Sequence, residues 1–177
     1  FDSNGNPRMY SGIGRFRNIH FKNMGQYSVN HVHLTNEFDR PDPRWPLVYL
    51  NSAAADISNF VSGCFFDQPY MGGLGVKDSK VNIHKNVFYK AIHTAIKIVN
   101  ADESVVDYNL AVNTLSLADI ANTLGEHPHY DTMSHKYPTV FETDGQSLTF
   151  QRNRIANSNG VGMKYPGGES CGTYVYT

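Results

Sequence analysis

A pattern of short strands that returns at a nearly constant interval constrains the fold of this chain most. Three segments each contain an alternating strand, a polar corner, a second alternating strand and an asparagine: residues 74–86, 96–109 and 140–153. The steps between Asn86, Asn109 and Asn153 are 23 and then 44 positions, the second being twice 22. Gly63 precedes Asn86 by the same interval as Asn86 precedes Asn109, and extends the series. Such a repeat is typical of a solenoid.

The period and the strand pattern predict an all-β fold, a right-handed parallel β-helix with about 22 residues per turn. Equivalent positions then stack about 4.8 Å apart, so Gly63, Asn86, Asn109 and Asn153 form a structural ladder at one corner. Alternation places Ile83 and Ile96 inside, and Lys97 outside. A β-sandwich also alternates, but it does not explain strands and asparagines that share one period.

Two stretches interrupt the repeat and are predicted to be inserted loops, at about 25–46 and 115–139. The first is rich in proline, which disfavours a central strand. The second contains residues 116–124, which resemble a short helix, followed by a histidine-rich stretch. Whether a further turn of the coil lies within the second interval is open from the sequence. We interpret residues 1–177 as a single β-helix segment of a longer protein.

Composition excludes several classes of function. The 177 residues carry a formal net charge of -1, so there is no basic surplus for nucleic acid. Aromatic residues make up 12% and charged residues 18%, which favours a folded chain over a disordered one. No apolar run reaches the length of a membrane span. We therefore expect no membrane-spanning segment within these residues.

Several strings occur in the order found in one family. They are DPRWPLVYLN (42–51), SNFVSGCFF (58–66), NVFYK (86–90), DYNLA (107–111) and GGESC (167–171). The chain resembles, from about Arg15 onward, the parallel β-helix region of the fibrocystin family of large cell-surface proteins. The resemblance implies a non-enzymatic structural or binding segment of a larger extracellular protein, on the cell surface or the ciliary membrane. Contact with the membrane is then expected only through an anchor elsewhere in the parent protein. Its implied partners are other domains of the same protein, further copies of itself, or an extracellular glycan or protein.

A related branch, the cell-surface hyaluronidases, supplies the alternative function. These proteins carry two histidines at the positions of Val48 and Leu50 in this sequence. Neither replacement can hold a metal or transfer a proton. We therefore predict that the chain is not an enzyme. A polysaccharide-acting enzyme or a carbohydrate-binding module on the same fold remains the alternative.

Two histidine groups are candidates for metal sites. His31 and His33 would share one face of a strand, but no third ligand is identifiable near them. A second group is richer and consists of Glu126, His127, His129, Asp131 and His135. Its spacing matches no established ligand set, so a solvated loop is the favoured interpretation. We expect neither a metal nor a cofactor.

Acidic and basic side chains at the corners are candidates for catalytic or glycan-binding groups. The acids are Asp78, Asp102, Glu103, Asp107 and Asp144, and corner aspartates are common for structural reasons. The bases are Lys77, Lys80, Lys85 and Lys97, which could form a stripe on one face that contacts an acidic glycan weakly.

Nucleophilic and phosphate-binding chemistry find no support in the sequence. Residues 72–75 (GGLG) lack the lysine of a phosphate loop and are interpreted as a tight coil between strands. Cys64 and Cys171 have no zinc spacing and are interpreted as buried free thiols. A disulfide between them would require the fold to bring them together.

Overall fold

The computed structural model describes residues 12–25, 45–52, 59–70, 72–101, 103–115, 139–143 and 148–165, and the backbone of Tyr174–Tyr176. Every regular element within these residues is a β-strand. In chain order they are β1 (Arg15–Arg17), β2 (His20–Lys22), β3 (Leu47–Leu50), β4 (Asn59–Ser62), β5 (Phe65–Asp67), β6 (Leu74–Lys77), β7 (Val81–His84), β8 (Val87–Tyr89), β9 (Ile96–Val99), β10 (Val105–Asp107), β11 (Leu110–Val112), β12 (Thr139–Thr143), β13 (Thr149–Gln151), β14 (Arg154–Ala156), β15 (Val161–Lys164) and β16 (Tyr174–Tyr176). The described part of the chain contains no helix long and apolar enough to cross a bilayer.

The chain assigns its strands to three parallel sheets in rotation. Sheet 1 contains β1, β4, β7, β10, β13 and β16; sheet 2 contains β2, β5, β8, β11 and β14; sheet 3 contains β3, β6, β9, β12 and β15. Each strand therefore pairs with the strand three elements before it and the strand three elements after it. The predicted all-β class is confirmed, and the stacking is consistent with a parallel β-helix.

The pairing shows how far apart in sequence the directly bonded strands lie. Leu74 pairs with Ile96, 22 positions later, and Val87 pairs with Leu110, 23 positions later. Val105 pairs directly with Thr149, 44 positions later. No further turn of the coil fits between two strands that are bonded to each other. The 44 positions therefore separate strands of two adjacent turns, which decides the question that the sequence left open.

The two predicted insertions fall almost wholly outside the described residues. The described chain stops at Gly25 and resumes at Trp45, and it stops again at Leu115 and resumes at Thr139. The helix predicted within residues 116–124 lies in the second of these gaps. What the structure shows is the point of departure, since Leu115 forms a bridge to Ile92 in the preceding turn.

Inward-facing side chains stack into columns that form the core. In sheet 2 the rings of Phe21, Phe66 and Phe88 are stacked at centroid separations of 4.6 Å with interplanar angles of 11°. Ile83 and Ile96, predicted to face inward, are 0% and 1% exposed. Burial of each such side chain stabilises the fold by about 1.5–3 kcal/mol. The hydrophobic columns therefore run along the axis, across the turns.

A residue with positive φ follows most strands and turns the chain toward the next sheet. The φ angles lie between 46° and 63°. These residues are Asn18, Gly63, Lys85, Tyr108 and Arg152 after sheet 1; Asn23, Gln68, Lys90, Asn113 and Asn157 after sheet 2; and Asn51, Asp78 and Asn100 after sheet 3. This left-handed conformation costs most L-residues roughly 1–2 kcal/mol, and asparagine and glycine less. Backbone strain is therefore expected at the corners whose positive-φ residue is neither asparagine nor glycine.

Lys85 offers a direct test of this strain, because its side chain is exposed and its φ is 55°. We expect Lys85→Asn to raise the free energy of unfolding by about 0.5–1 kcal/mol, since asparagine tolerates the left-handed region better. Urea denaturation measures the difference. The control is Lys22→Asn in strand β2, where asparagine is disfavoured and no gain is expected. An equal gain at both positions would contradict the strain argument.

Candidate functional site

The asparagines form a hydrogen-bonded ladder at the corner between sheets 1 and 2. The side chain of Asn86 donates from Nδ2 to Oδ1 of Asn109 at 3.0 Å, and Asn109 donates in the same way to Asn153 at 2.9 Å. Each Oδ1 also accepts the backbone N–H of the preceding asparagine. The second hydrogen of each amide reaches a backbone carbonyl, Val61 for Asn86 and Ile83 for Asn109. The structure thus brings together three of the four predicted ladder residues.

Gly63 does not join this column. Phe65 pairs with Val87, so Cys64 lies in register with Asn86, and Gly63 with Lys85. The backbone N–H of Cys64 donates to Oδ1 of Asn86, and the Cys64 side chain is a buried free thiol. Gly63 instead occupies the positive-φ column with a φ of 63°. The second cysteine, Cys171, lies outside the described residues.

A second polar ladder, which the sequence analysis missed, occupies the corner between sheets 3 and 1. The hydroxyl of Ser52 donates to that of Ser79 at 3.1 Å, and the hydroxyl of Ser104 accepts the backbone N–H of Val81 at 3.0 Å. Asn59 adds a donor to the carbonyl of Ser52 at 2.9 Å. The steps between successive serines are 27 and 25 positions. These steps differ from the 22 or 23 positions that separate most paired residues. The serines were therefore not recognised as a ladder from the sequence.

A cluster of chemically active side chains lies on the outer side of sheet 1. The Nδ1–H of His84 donates to Oδ1 of Asp107 in the next turn at 2.5 Å. The imidazole meets the ring of Tyr108 edge-on, with centroids 5.7 Å apart. Arg152 lies over the same ring, 5.1 Å from its centroid, and Nη1 donates to the tyrosine hydroxyl. Tyr108 is 45% exposed, so this cluster is open to solvent.

Asp107 is the one residue of this cluster that was predicted as a candidate from the sequence. The other three could have been found from the repeat. His84 and Asp107 are 23 positions apart, and Tyr108 and Arg152 are 44 positions apart. These are the steps of the asparagine ladder, so each pair is expected to be neighbours in one column. The signal that could have found them is the ladder's register, applied to the positions just before each asparagine.

Sheet 2 carries a similar pair of smaller extent. Nε2 of His20 lies 3.4 Å from Oδ2 of Asp67, and the imidazole stacks on Phe65 with centroids 4.9 Å apart. His20 and Phe65 are directly paired in the sheet. Histidine–aspartate pairs thus join adjacent turns on two of the three sheets.

The outer side of sheet 3 contains an acid between two bases. Glu142 is registered between Lys97 and Lys164, whose Nζ atoms lie 3.9 Å and 3.2 Å from its carboxylate oxygens. The side chains of Lys97 and Glu142 are 12% and 16% exposed. Charge neutralisation within this triad explains how outward residues tolerate this degree of burial.

The other predicted acids and bases do not converge. Glu103 accepts a hydrogen bond from Lys80 at 2.5 Å, and this bond, with the ammonium charge, lowers the pKa of the Glu103 carboxyl. Asp78 accepts a hydrogen bond from Asn100 at the following corner. Asp102 and Asp144 lie outside the described residues. The acids that are described therefore belong to separate pairs.

The four lysines do not form one stripe. Lys77 and Lys97 belong to strands of sheet 3, Lys80 precedes β7, and Lys85 follows it at the opposite corner of sheet 1. Gly72 lies against Trp45, since a Cβ on Gly72 would come 2.5 Å from that ring, and a Cβ on Gly73 would come equally close to the ring of Phe88 and the carbonyl of Ala95.

Both predicted histidine groups lie outside the described residues: His31 and His33, and Glu126, His127, His129, Asp131 and His135. Within the described part of the chain, no group of three or more His, Cys, Asp or Glu side chains could hold a metal ion. The predictions made for these histidines stay predictions.

Strand β3 contains Val48 and Leu50, which the predicted resemblance places where the hyaluronidases have histidines. Val48 is half-buried beside Gly75, and Leu50 is 48% exposed beside Lys77. Between them Tyr49 points inward, and its hydroxyl donates to the carbonyl of Gly14 at 2.9 Å. Burial raises the pKa of the Tyr49 phenol well above its usual range. This part of β3 serves packing between turns.

No protein-family model, curated protein or solved structure matches this chain. The resemblance to the fibrocystin family therefore stays a prediction.

The hydrogen bonds of the ladder predict a large loss of stability when the side-chain amide of Asn109, its central member, is removed. We expect Asn109→Ala to lower the free energy of unfolding by about 2–4 kcal/mol, because it leaves the carbonyl of Ile83 and two donors of Asn86 unpaired in a buried corner. Urea denaturation at neutral pH measures this. The matched control is Asn82→Ala on the outer side of sheet 1, for which a change within about 0.5 kcal/mol is expected. Equal losses would contradict the ladder's role.

The raised pKa of the Tyr49 phenol predicts that the free energy of unfolding depends on pH in the alkaline range. Its pKa is raised in the folded state, so above the unfolded value of about 10 the folded chain retains a proton that the unfolded chain releases. Its contribution is therefore complete below pH 10 and is lost as the pH rises further. We expect Tyr49→Phe to cost about 1–2 kcal/mol at pH 7 and to reduce the fall in stability above pH 10. Parallel pH profiles of the two proteins would contradict this expectation.

Proposed function

We propose that this chain is a rigid, non-enzymatic scaffold segment of a fibrocystin-like protein at the cell surface. In this proposal the coil is a right-handed parallel β-helix with about 22 residues per turn wherever no insertion intervenes. The segment is extracellular, and the parent protein is anchored in the plasma membrane or the ciliary membrane. Its partners are the neighbouring domains of that protein, further copies of itself, and extracellular ligands that bind its outer faces.

One observation carries the proposal: the polar and charged side chains of each turn are bonded mainly to the next turn. The ion pairs Lys80–Glu103, His84–Asp107 and Lys164–Glu142 each connect adjacent turns. The asparagine ladder and the phenylalanine stack do the same inside the coil. Side chains committed to axial contacts hold a rod in one conformation. That is the property required of a structural support or of a surface that presents a ligand site.

A polysaccharide-acting enzyme is the second candidate, and one arrangement favours it. Asp107 fixes the Nδ1 tautomer of His84, which is the way in which many enzymes orient a general base. The side chain of His84 is 34% exposed. Against this stand Val48 and Leu50, which carry no group able to transfer a proton.

Incubation with acidic polysaccharides separates these two functions. The purified segment is mixed with high-molecular-weight hyaluronan, polygalacturonate or heparan sulfate in the presence of Ca²⁺, and chain length is followed by gel electrophoresis. We expect every polymer to keep its length, while a commercial depolymerase shortens it in a parallel sample. Shortening by the segment that His84→Gln abolishes would contradict the scaffold proposal and establish the enzyme.

A further inference from the structure

The outer side of sheet 1 concentrates positive charge on a chain whose formal net charge is -1. Four exposed cationic residues lie on this face or at its edge, namely Arg15, Arg17, Lys85 and Arg152, while the exposed Glu103 at the opposite edge is paired with Lys80. The carboxylate of Asp107 accompanies them and is bonded to His84. The face is therefore complementary to an anionic ligand.

Two arginines on this face lie over aromatic rings. The guanidinium of Arg17 is 5.2 Å from the centroid of Phe60, in the neighbouring strand. That of Arg152 is 5.1 Å from the centroid of Tyr108. An arginine held on a ring presents its N–H groups in a fixed plane, which matches the planar geometry of a carboxylate. Tyr108 is 45% exposed, so the part of its ring that the guanidinium leaves open is an apolar surface of the kind on which the C–H face of a sugar packs.

The spacing of these two arginine–aromatic pairs indicates a polymer. Arg17 ends β1 and Arg152 follows β13, and four strand-to-strand steps separate these strands in sheet 1. At about 4.8 Å per step the separation is roughly 19 Å. A single sugar cannot reach both pairs, whereas a linear chain lying along the axis can. A regular rise from turn to turn suits a ligand that is itself a repeating polymer.

Hydrogen-bonding groups fill the interval between the two pairs. Ser62, Asn82, His84 and Gln151 occupy outward positions on β4, β7 and β13. Among the described residues Nε2 of His84 has no hydrogen-bond partner, while its Nδ1 is bonded to Asp107. These groups donate and accept in the way that sugar hydroxyls require.

The surface is held in place before any ligand arrives. Tyr108 directly precedes Asn109, and Arg152 directly precedes Asn153, so both stand next to the ladder that fixes this corner. The His84–Asp107 bond restricts the imidazole as well. A preorganised surface loses little conformational entropy on binding.

We propose that the outer face of sheet 1 binds a linear, uronate-containing polysaccharide lengthwise along the coil axis. Its carboxylates pair with Arg17 and Arg152, and its sugar rings lie against Phe60 and Tyr108. This inference rests on the proposed function, in which the scaffold presents a binding face, and it names the face and the class of ligand.

Binding of defined oligosaccharides tests the proposal. Isothermal titration compares decasaccharides of hyaluronan and polygalacturonate with a neutral maltodecaose, using the wild-type segment and the variants Arg17→Gln and Arg152→Gln. We expect the acidic oligomers to bind, the neutral one not to bind, and each variant to lose about tenfold or more in affinity. The control Lys22→Gln removes an exposed charge from the outer face of sheet 2 and is expected to leave affinity unchanged. Urea denaturation verifies that every variant is folded.

Several results would overturn the proposal. Absence of binding by the wild-type segment to either acidic decasaccharide would do so, as would an equal loss in Lys22→Gln. Binding of poly-glutamate with the same affinity and the same arginine dependence would identify an acidic protein as the partner instead. Shortening of polysaccharides in the incubation experiment contradicts the non-enzymatic scaffold, yet arginine-dependent binding would still support this site. The two proposals therefore fail separately.

Discussion

The hydrogen bonds that pass from one asparagine side chain to the next hold the geometry on which the rest of the structure depends. Each amide closes its own corner, accepts from the turn before it and donates to a backbone carbonyl, so three turns share one continuous set of bonds. The residue before each asparagine is thereby fixed in the left-handed region, even where it is Lys85, Tyr108 or Arg152. The outward side chains beside this corner therefore start from a fixed backbone.

Residue spacing was enough to predict the all-β class and the contact of Asn86, Asn109 and Asn153, because identical polar residues at one corner leave a regular trace. It was not enough to count turns. An insertion close to one period in length imitates a further turn, and direct pairing across the interval, as between β10 and β13, distinguishes the two. The ladder prediction at Gly63 is one position away from the true column for a related reason. Glycine suits a left-handed corner as well as a tight ladder position, and spacing alone does not separate adjacent columns.

The candidate site could be predicted in part. His84 with Asp107 and Tyr108 with Arg152 follow from the ladder's own offsets, once those are applied to neighbouring positions. The pair of Arg17 with Phe60 could not be predicted in this way. Its strands are registered 45 positions apart, whereas Asn86 and Asn109 are 23 positions apart, and no repeated residue marks the register between β1 and β4. Contacts between side chains of the first turn and the second turn therefore cannot be predicted from the period of the sequence.

The position of Leu115 has a consequence for how such a protein can change over generations. Its bridge to Ile92 keeps the chain in register with the preceding turn up to the point where it departs, and β12 resumes pairing with β9 beyond the gap. Because each turn is held by its immediate neighbours alone, the length and composition of the segment between these points are not constrained by the columns on either side. Natural selection can thus vary the sequence between these points while the paired turns on either side stay the same.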